Sequence, residues 1–146
     1  MNNALSKLVF NEQTKHFSQR LLEIRSWSLN EIQFPILDIT FSHTDRQPFR
    51  VRMVCENYDE SPCAIELLNL KGEFLIQTPT GSNVINQGKH PNTKRPFICS
   101  PGSLEYHTHT NHLNDLWENY RGKSGFDIGG MISQIHNAWL KTIDVS

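Results

Sequence analysis

The chain switches between two hydrophobic periods, and the switch points define its predicted elements. Leu5, Leu8 and Val9, then Phe17, Leu21 and Ile24, recur at helical spacing, with Glu12, Lys15 and Arg20 mostly off that stripe; residues 4–25 are therefore predicted as a helix that packs on one flank of a sheet. The period then falls to two. Leu37, Ile39 and Phe41 alternate with Asp38 and Thr40; Phe49, Val51, Met53 and Cys55 alternate with Arg50 and Arg52; Cys63, Ile65 and Leu67 alternate around Glu66. The links at 43–48 and 57–62 are short, which predicts an antiparallel meander. A fourth strand is predicted over 70–78, with Lys71-Gly72 as a turn, followed by a polar loop over 80–89. Helical spacing returns at Leu113, Leu116, Trp117 and Tyr120, with Thr110 or Asn111 as a cap and Gly122 as a stop. In the last predicted helix Asp127 is the cap, and Ile128, Ile132, Ile135 and Trp139 share one face. Gly129 and Gly130 fall in its first turn, where they permit close approach to a neighbour. Trp117 and Trp139 lie on apolar stripes and are predicted as core anchors.

Length and composition narrow the picture. A chain of 146 residues, 37% hydrophobic and 20% charged, fits one folded domain over residues 1–146 and excludes disorder as its ground state. The formal net charge of −1 gives no bulk attraction to nucleic acid or to a membrane surface. No apolar run is long enough for a signal peptide or a membrane span. Cys55 and Cys63 sit on alternating apolar strands and read as small core residues, and three cysteines cannot all pair among themselves; a reducing cytoplasm is the expected location. The fold class expected is α+β: N-terminal helix, antiparallel four-stranded meander, cysteine-bearing loop, C-terminal helices.

Candidate chemistry concentrates in residues 90–115, which hold Cys99, four of the seven histidines and three of the seven prolines. His90-Pro91-Asn92 is a turn-former, and Pro96 keeps Arg95 extended. Phe97-Ile98 anchors the segment before Cys99, and Ser100-Pro101-Gly102 turns the chain after it, so Cys99 is expected at a surface edge with Lys94 and Arg95 nearby in sequence. Two readings follow. Cys99 is a nucleophile reached through a stiff loop, or it is a metal ligand. In an extended segment Glu105, His107 and His109 would share one face, and with Cys99 they offer a tetrahedral zinc set, although the spacing is not that of a standard zinc finger.

The order of elements and the spacing of His90, Pro91 and Asn92 before Cys99 resemble the ubiquitin-conjugating enzymes, with Trp117 a looser match and Ile128–Leu140 similar to that family's following helix. Tyr58-Asp59-Glu60-Ser61-Pro62 resembles weakly its Tyr- and Pro-rich turn. Ser100-Pro101-Gly102 departs from the family's usual sequence after the cysteine, and its late acidic residue matches only Asp115 or Asp127 by position. The resemblance implies a thioester relay without cofactor, in which Cys99 accepts the C-terminus of a small protein, Asn92 steadies the loop or donates to the oxyanion, and one of His107, His109 or His112 assists the thiol. For divergent bacterial members it implies antiviral defence. Their partners are a ubiquitin-like protein or the C-terminus of a cyclic-oligonucleotide synthase, with an activating enzyme upstream. Cys99, Glu105, His107 and His109 also resemble a small bacterial Cys-Glu-His-His family with predicted metal binding, which implies a zinc-binding accessory protein as the alternative. A third reading is an inactive module of the same fold that only binds partners.

Overall fold

In the computed structural model, which describes residues 3–143, helix α4 (Ile128–Leu140) lies across one face of a sheet. Asp127 caps it, its Oδ1 accepting the Gly130 N–H at 2.7 Å. Ile128, Ile132, Ile135 and Trp139 are all fully buried along the face read from their spacing. The sheet is antiparallel and runs in the order β1 (Trp27–Gln33), β2 (Ile36–His43), β3 (Arg46–Val54), β4 (Ala64–Leu68). Its inner face is built from Leu37, Ile39 and Phe41, from Phe49, Val51 and Met53, and from Ile65 and Leu67. The Trp139 ring meets Phe41 and Phe49 at centroid distances of 5.7 and 6.3 Å. Arg46 Nη1 donates to the carbonyls of Trp139 and Thr142 at 2.6 and 3.0 Å, which satisfies the end of α4 from the sheet side.

The outer face is polar. Asp38 accepts a two-pronged contact from Arg50 at 2.9 and 2.7 Å and a further hydrogen bond from Asn30 at 3.0 Å. Burial pushes the Asp38 carboxyl up, but the Arg50 and Asn30 hydrogen bonds outweigh it and hold the group below its ordinary value.

A four-stranded meander was expected and the main sheet has four strands, but not all the expected ones. The segment at 70–78 is not a strand: Asn69 Oδ1 accepts from the N–H groups of Lys71 and Glu73, at 2.9 and 3.0 Å, and turns the chain. The fourth strand is instead β1, on the opposite edge beside β2, in which only Trp27 is buried, so that it carries little of the period-two signal. The expected helix over 4–25 is two: α1 (Asn3–Thr14) and α2 (Gln19–Arg25). Ser18 interrupts it by accepting the Leu21 N–H and starting α2 afresh. Helix α1 buries Ser6, Phe10 and Thr14; Leu5 (45% exposed) and Leu8 (66%) point outward, as does Ile24 (71%) on α2, so the predicted leucine stripe is not the core face of α1.

The helix expected at 113–120 is also absent. Two single-turn 3-10 segments, Thr110–His112 and Trp117–Asn119, replace it, and Leu113 and Leu116 are exposed. Trp117 is buried as expected. Cys55 and Cys63 are buried as expected but are joined in a disulfide, with Cα atoms 4.5 Å apart. With two of three cysteines paired, cysteine usage no longer points to a reducing compartment. Among the described residues no helix is long and apolar enough to cross a membrane.

Candidate active site around Cys99

The site begins with a loop that folds back on itself. His90 N–H donates to Arg95 O at 2.9 Å and Lys94 N–H to His90 O at 2.8 Å, with Lys94 in the left-handed region at φ 63°. The His90 side chain is buried beneath this loop. Its Nδ1 accepts the Asn92 N–H at 3.0 Å, so Nε2 carries the proton and donates to Glu105 O at 2.9 Å. Burial holds the His90 imidazole below its ordinary value, consistent with this neutral, single-tautomer role. His90 is thus a keystone of the loop and not a proton carrier at its surface. The Asn92 side chain is exposed at the tip.

A two-stranded ribbon places the cysteine. β5 (Ile85–Asn86) pairs with β6 (Phe97–Ile98), and the Cys99 N–H donates to Val84 O at 2.7 Å immediately afterwards. Cys99 is the free cysteine and is partly exposed. The following turn is fixed on both sides. Ser103 Oγ donates to Ile98 O at 2.7 Å and accepts the Tyr106 N–H at 3.0 Å, which caps the short helix α3 (Leu104–Thr108). Gly102, at φ +101°, lies where a Cβ would come within 2.4 Å of Met131 Sδ on α4.

Helix α3 corrects the extended geometry expected for residues 105–109. Successive helical residues turn by roughly 100°, so Glu105 and His107 diverge instead of sharing a face. Glu105 turns toward β4, where its Oε1 accepts the Ile65 N–H at 2.9 Å; burial raises its carboxyl to about 7, against the pull of its backbone N–H donors. His107 accepts the Gly102 N–H on Nε2 at 2.9 Å and donates from Nδ1 to Asp115 O at 2.8 Å. His109 lies over Phe97 at 5.5 Å and accepts the Asn111 N–H on Nδ1 at 3.0 Å. Cys99, Glu105, His107 and His109 are therefore not gathered around one point. Among the described residues no group of three or more His, Cys, Asp or Glu is arranged to hold a metal ion.

The histidine that meets the thiol is His112, its Nε2 3.7 Å from Cys99 Sγ. Its ring stacks on Tyr106 with centroids 4.1 Å apart and planes 13° from parallel. Tyr106 in turn donates to Asp115 Oδ2 at 2.6 Å. Of the two acidic positions considered from sequence, Asp115 is thus next to the site, whereas Asp127 is the α4 cap. Arg95 lies over the Phe74 ring at 3.7 Å. The role of Tyr106 was not read from sequence; the only available sign was the density of aromatic and histidine residues between 106 and 120.

The site is tied to the sheet by the turn at 55–63, which the disulfide closes. Leu104 N–H donates to Cys63 O at 3.0 Å, Trp117 Nε1 donates to Asp59 O at 2.7 Å, and Arg121 pairs with Asp59 at 3.2 Å. No protein-family model matches the chain, and no curated protein matches it either.

Proposed function

We propose that the protein is a cysteine-dependent acyl transferase that carries the C-terminus of a small protein as a thioester on Cys99. The observation that carries this reading is the partly exposed Cys99 with His112 Nε2 at 3.7 Å from its sulfur. His112 Nε2 takes the thiol proton, and Sγ attacks the carbonyl carbon of an incoming thioester. A bond from Cys99 Sγ to that carbon forms, the bond to the donor sulfur breaks, and the proton returns to the departing thiolate. In the second half an amine or another nucleophile attacks the same carbon, the bond to Cys99 Sγ breaks, and the proton the nucleophile loses passes to the Cys99 thiolate. On this reading Asn92, exposed on the loop that His90 secures, steadies that loop or donates to the oxyanion.

Further support comes from the α+β order and from His90-Pro91-Asn92 before Cys99, both of which resemble the ubiquitin-conjugating enzymes. On that resemblance the carried group is a ubiquitin-like protein or the C-terminus of a cyclic-oligonucleotide synthase. An activating enzyme supplies it, in the cytoplasm of a bacterium under phage attack. The reaction needs no cofactor.

The test is direct. Incubated with a thioester-charged donor, the wild type forms an adduct cleaved by hydroxylamine, Cys99→Ser forms a more stable oxyester, and Cys99→Ala forms none. Iodoacetamide labels Cys99 faster than a free model thiol at the same pH, and His112→Ala abolishes the advantage. Full transfer by Cys99→Ala, or labelling indifferent to His112→Ala, would sink the reading.

A further inference from the structure

His112 is held in place by a bracket of side chains from α3 and the turn that follows it. One face of its ring rests on Tyr106. The Tyr106 hydroxyl donates to Asp115 Oδ2 at 2.6 Å, and the Tyr120 hydroxyl donates to the same oxygen at 2.7 Å. The main chain of Asp115 is gripped as well: its N–H donates to His112 O at 3.0 Å, and its carbonyl accepts from His107 Nδ1 at 2.8 Å. Tyr120 is itself packed at a tilt of 53° against Phe126, with centroids 5.0 Å apart, just before α4 begins. A single carboxylate therefore joins α3, the His112 turn and the approach to α4.

Two consequences follow from ordinary physical chemistry. The Tyr106 and Tyr120 hydrogen bonds hold the Asp115 carboxyl below its ordinary value, and both phenols are held above theirs, so one protonation pattern is kept at neutral pH. A phenol donating to a carboxylate is also more electron-rich at its ring, and an electron-rich ring face attracts a cation. When His112 takes the Cys99 proton it becomes such a cation, stacked on that face.

Resting on the reading that Cys99 and His112 are the reacting pair, we propose that Tyr106 and Asp115 are positioning residues. Asp115 fixes the Tyr106 ring, and that ring both orients His112 toward Cys99 Sγ and stabilises the imidazolium formed on proton transfer. Each acts through His112.

The experiment is the rate of Cys99 alkylation by iodoacetamide, followed by intact mass at about pH 7 and about pH 9.5, where a thiol ionises without help. Near-ultraviolet circular dichroism accompanies each variant. His112→Ala slows alkylation at the lower pH. Asp115→Asn and Tyr106→Phe each slow it by about tenfold there, the effect of losing one hydrogen bond to a charged acceptor, and change little at the higher pH. Tyr106→Phe keeps the ring and its volume, so it decides the matter if Asp115→Asn disturbs the fold. In the His112→Ala background neither substitution has any further effect. If His112→Ala slows the reaction while Tyr106→Phe does not, the positioning role is wrong and the reacting pair stands. If His112→Ala leaves the rate unchanged, the pair itself fails and the bracket has nothing to position. An additive loss in the double variant overturns action through His112.

Discussion

Replacing Glu105 with glutamine should change how stability responds to pH. Glu105 is 8% exposed, and its Oε1 accepts the Ile65 N–H at 2.9 Å where β4 would otherwise present an unpaired edge donor. Burial raises the carboxyl from 4.5 to about 7. In the unfolded chain the group ionises near its ordinary value, so between these limits the folded state holds a proton that the unfolded state has released. Stability then falls as pH rises through that window. The favourable state is fully present below the unfolded value and is lost as pH climbs past about 7. The gap corresponds to about 3 kcal/mol. Glutamine keeps an acceptor for Ile65 and never ionises. Burial lowers the His90 imidazole, which acts in the opposite sense by favouring the fold above its ordinary range; both proteins share that contribution, and it cancels in their difference. Urea unfolding followed by tryptophan fluorescence, from about pH 4.5 to about pH 8.5, gives the difference directly. Glu105→Gln should gain on the wild type by about 3 kcal/mol across the range. A difference that is flat with pH, or that grows in favour of the wild type, would refute the burial argument.

Trp139→Ala should cost about 3–5 kcal/mol, because the indole is fully buried between Phe41, Phe49 and Arg46; near-wild-type urea melting would contradict this. Gly102→Ala should cost about 1–3 kcal/mol, since it combines a left-handed φ with a Cβ driven into Met131, and Met131→Ala should recover part of the loss in the same assay. Thiol titration in denaturant without reductant should find one reactive group, Cys99, and three after reduction, as the Cys55–Cys63 disulfide requires; three groups before reduction would remove that bond from the account.

What the sequence disclosed depended on how much of each element is buried on one side. Strands β2 and β3 and helix α4 show it most clearly: each carries a full period of core residues, and each was legible. Strand β1 was not, because an edge strand with one buried residue has almost no period to read. The N-terminal helix was read through Leu5 and Leu8, yet its core face runs through Ser6, Phe10 and Thr14. Thr14 is buried there because its hydroxyl donates back to Phe10 O at 2.8 Å, a local bond that hydropathy does not register.

The candidate site divides along the same line. Its turns were legible from proline and glycine, and they place Cys99 at an edge as expected. Its histidines were not, because five residues of α3 are too few to show a helical period, and Glu-x-His-x-His reads equally well as alternation. The roles then follow from helical geometry and not from alternation. Glu105 goes to the sheet edge, His107 to the Gly102 turn and His109 to Phe97, each with its own partner. Only the chain reversal after α3, which Asp115 secures through two tyrosines, brings His112 back to the thiol. A pairing made across a turn by side-chain hydrogen bonds has no spacing rule in sequence. The residue that completes this site was therefore the one whose position depended on every other contact in the segment.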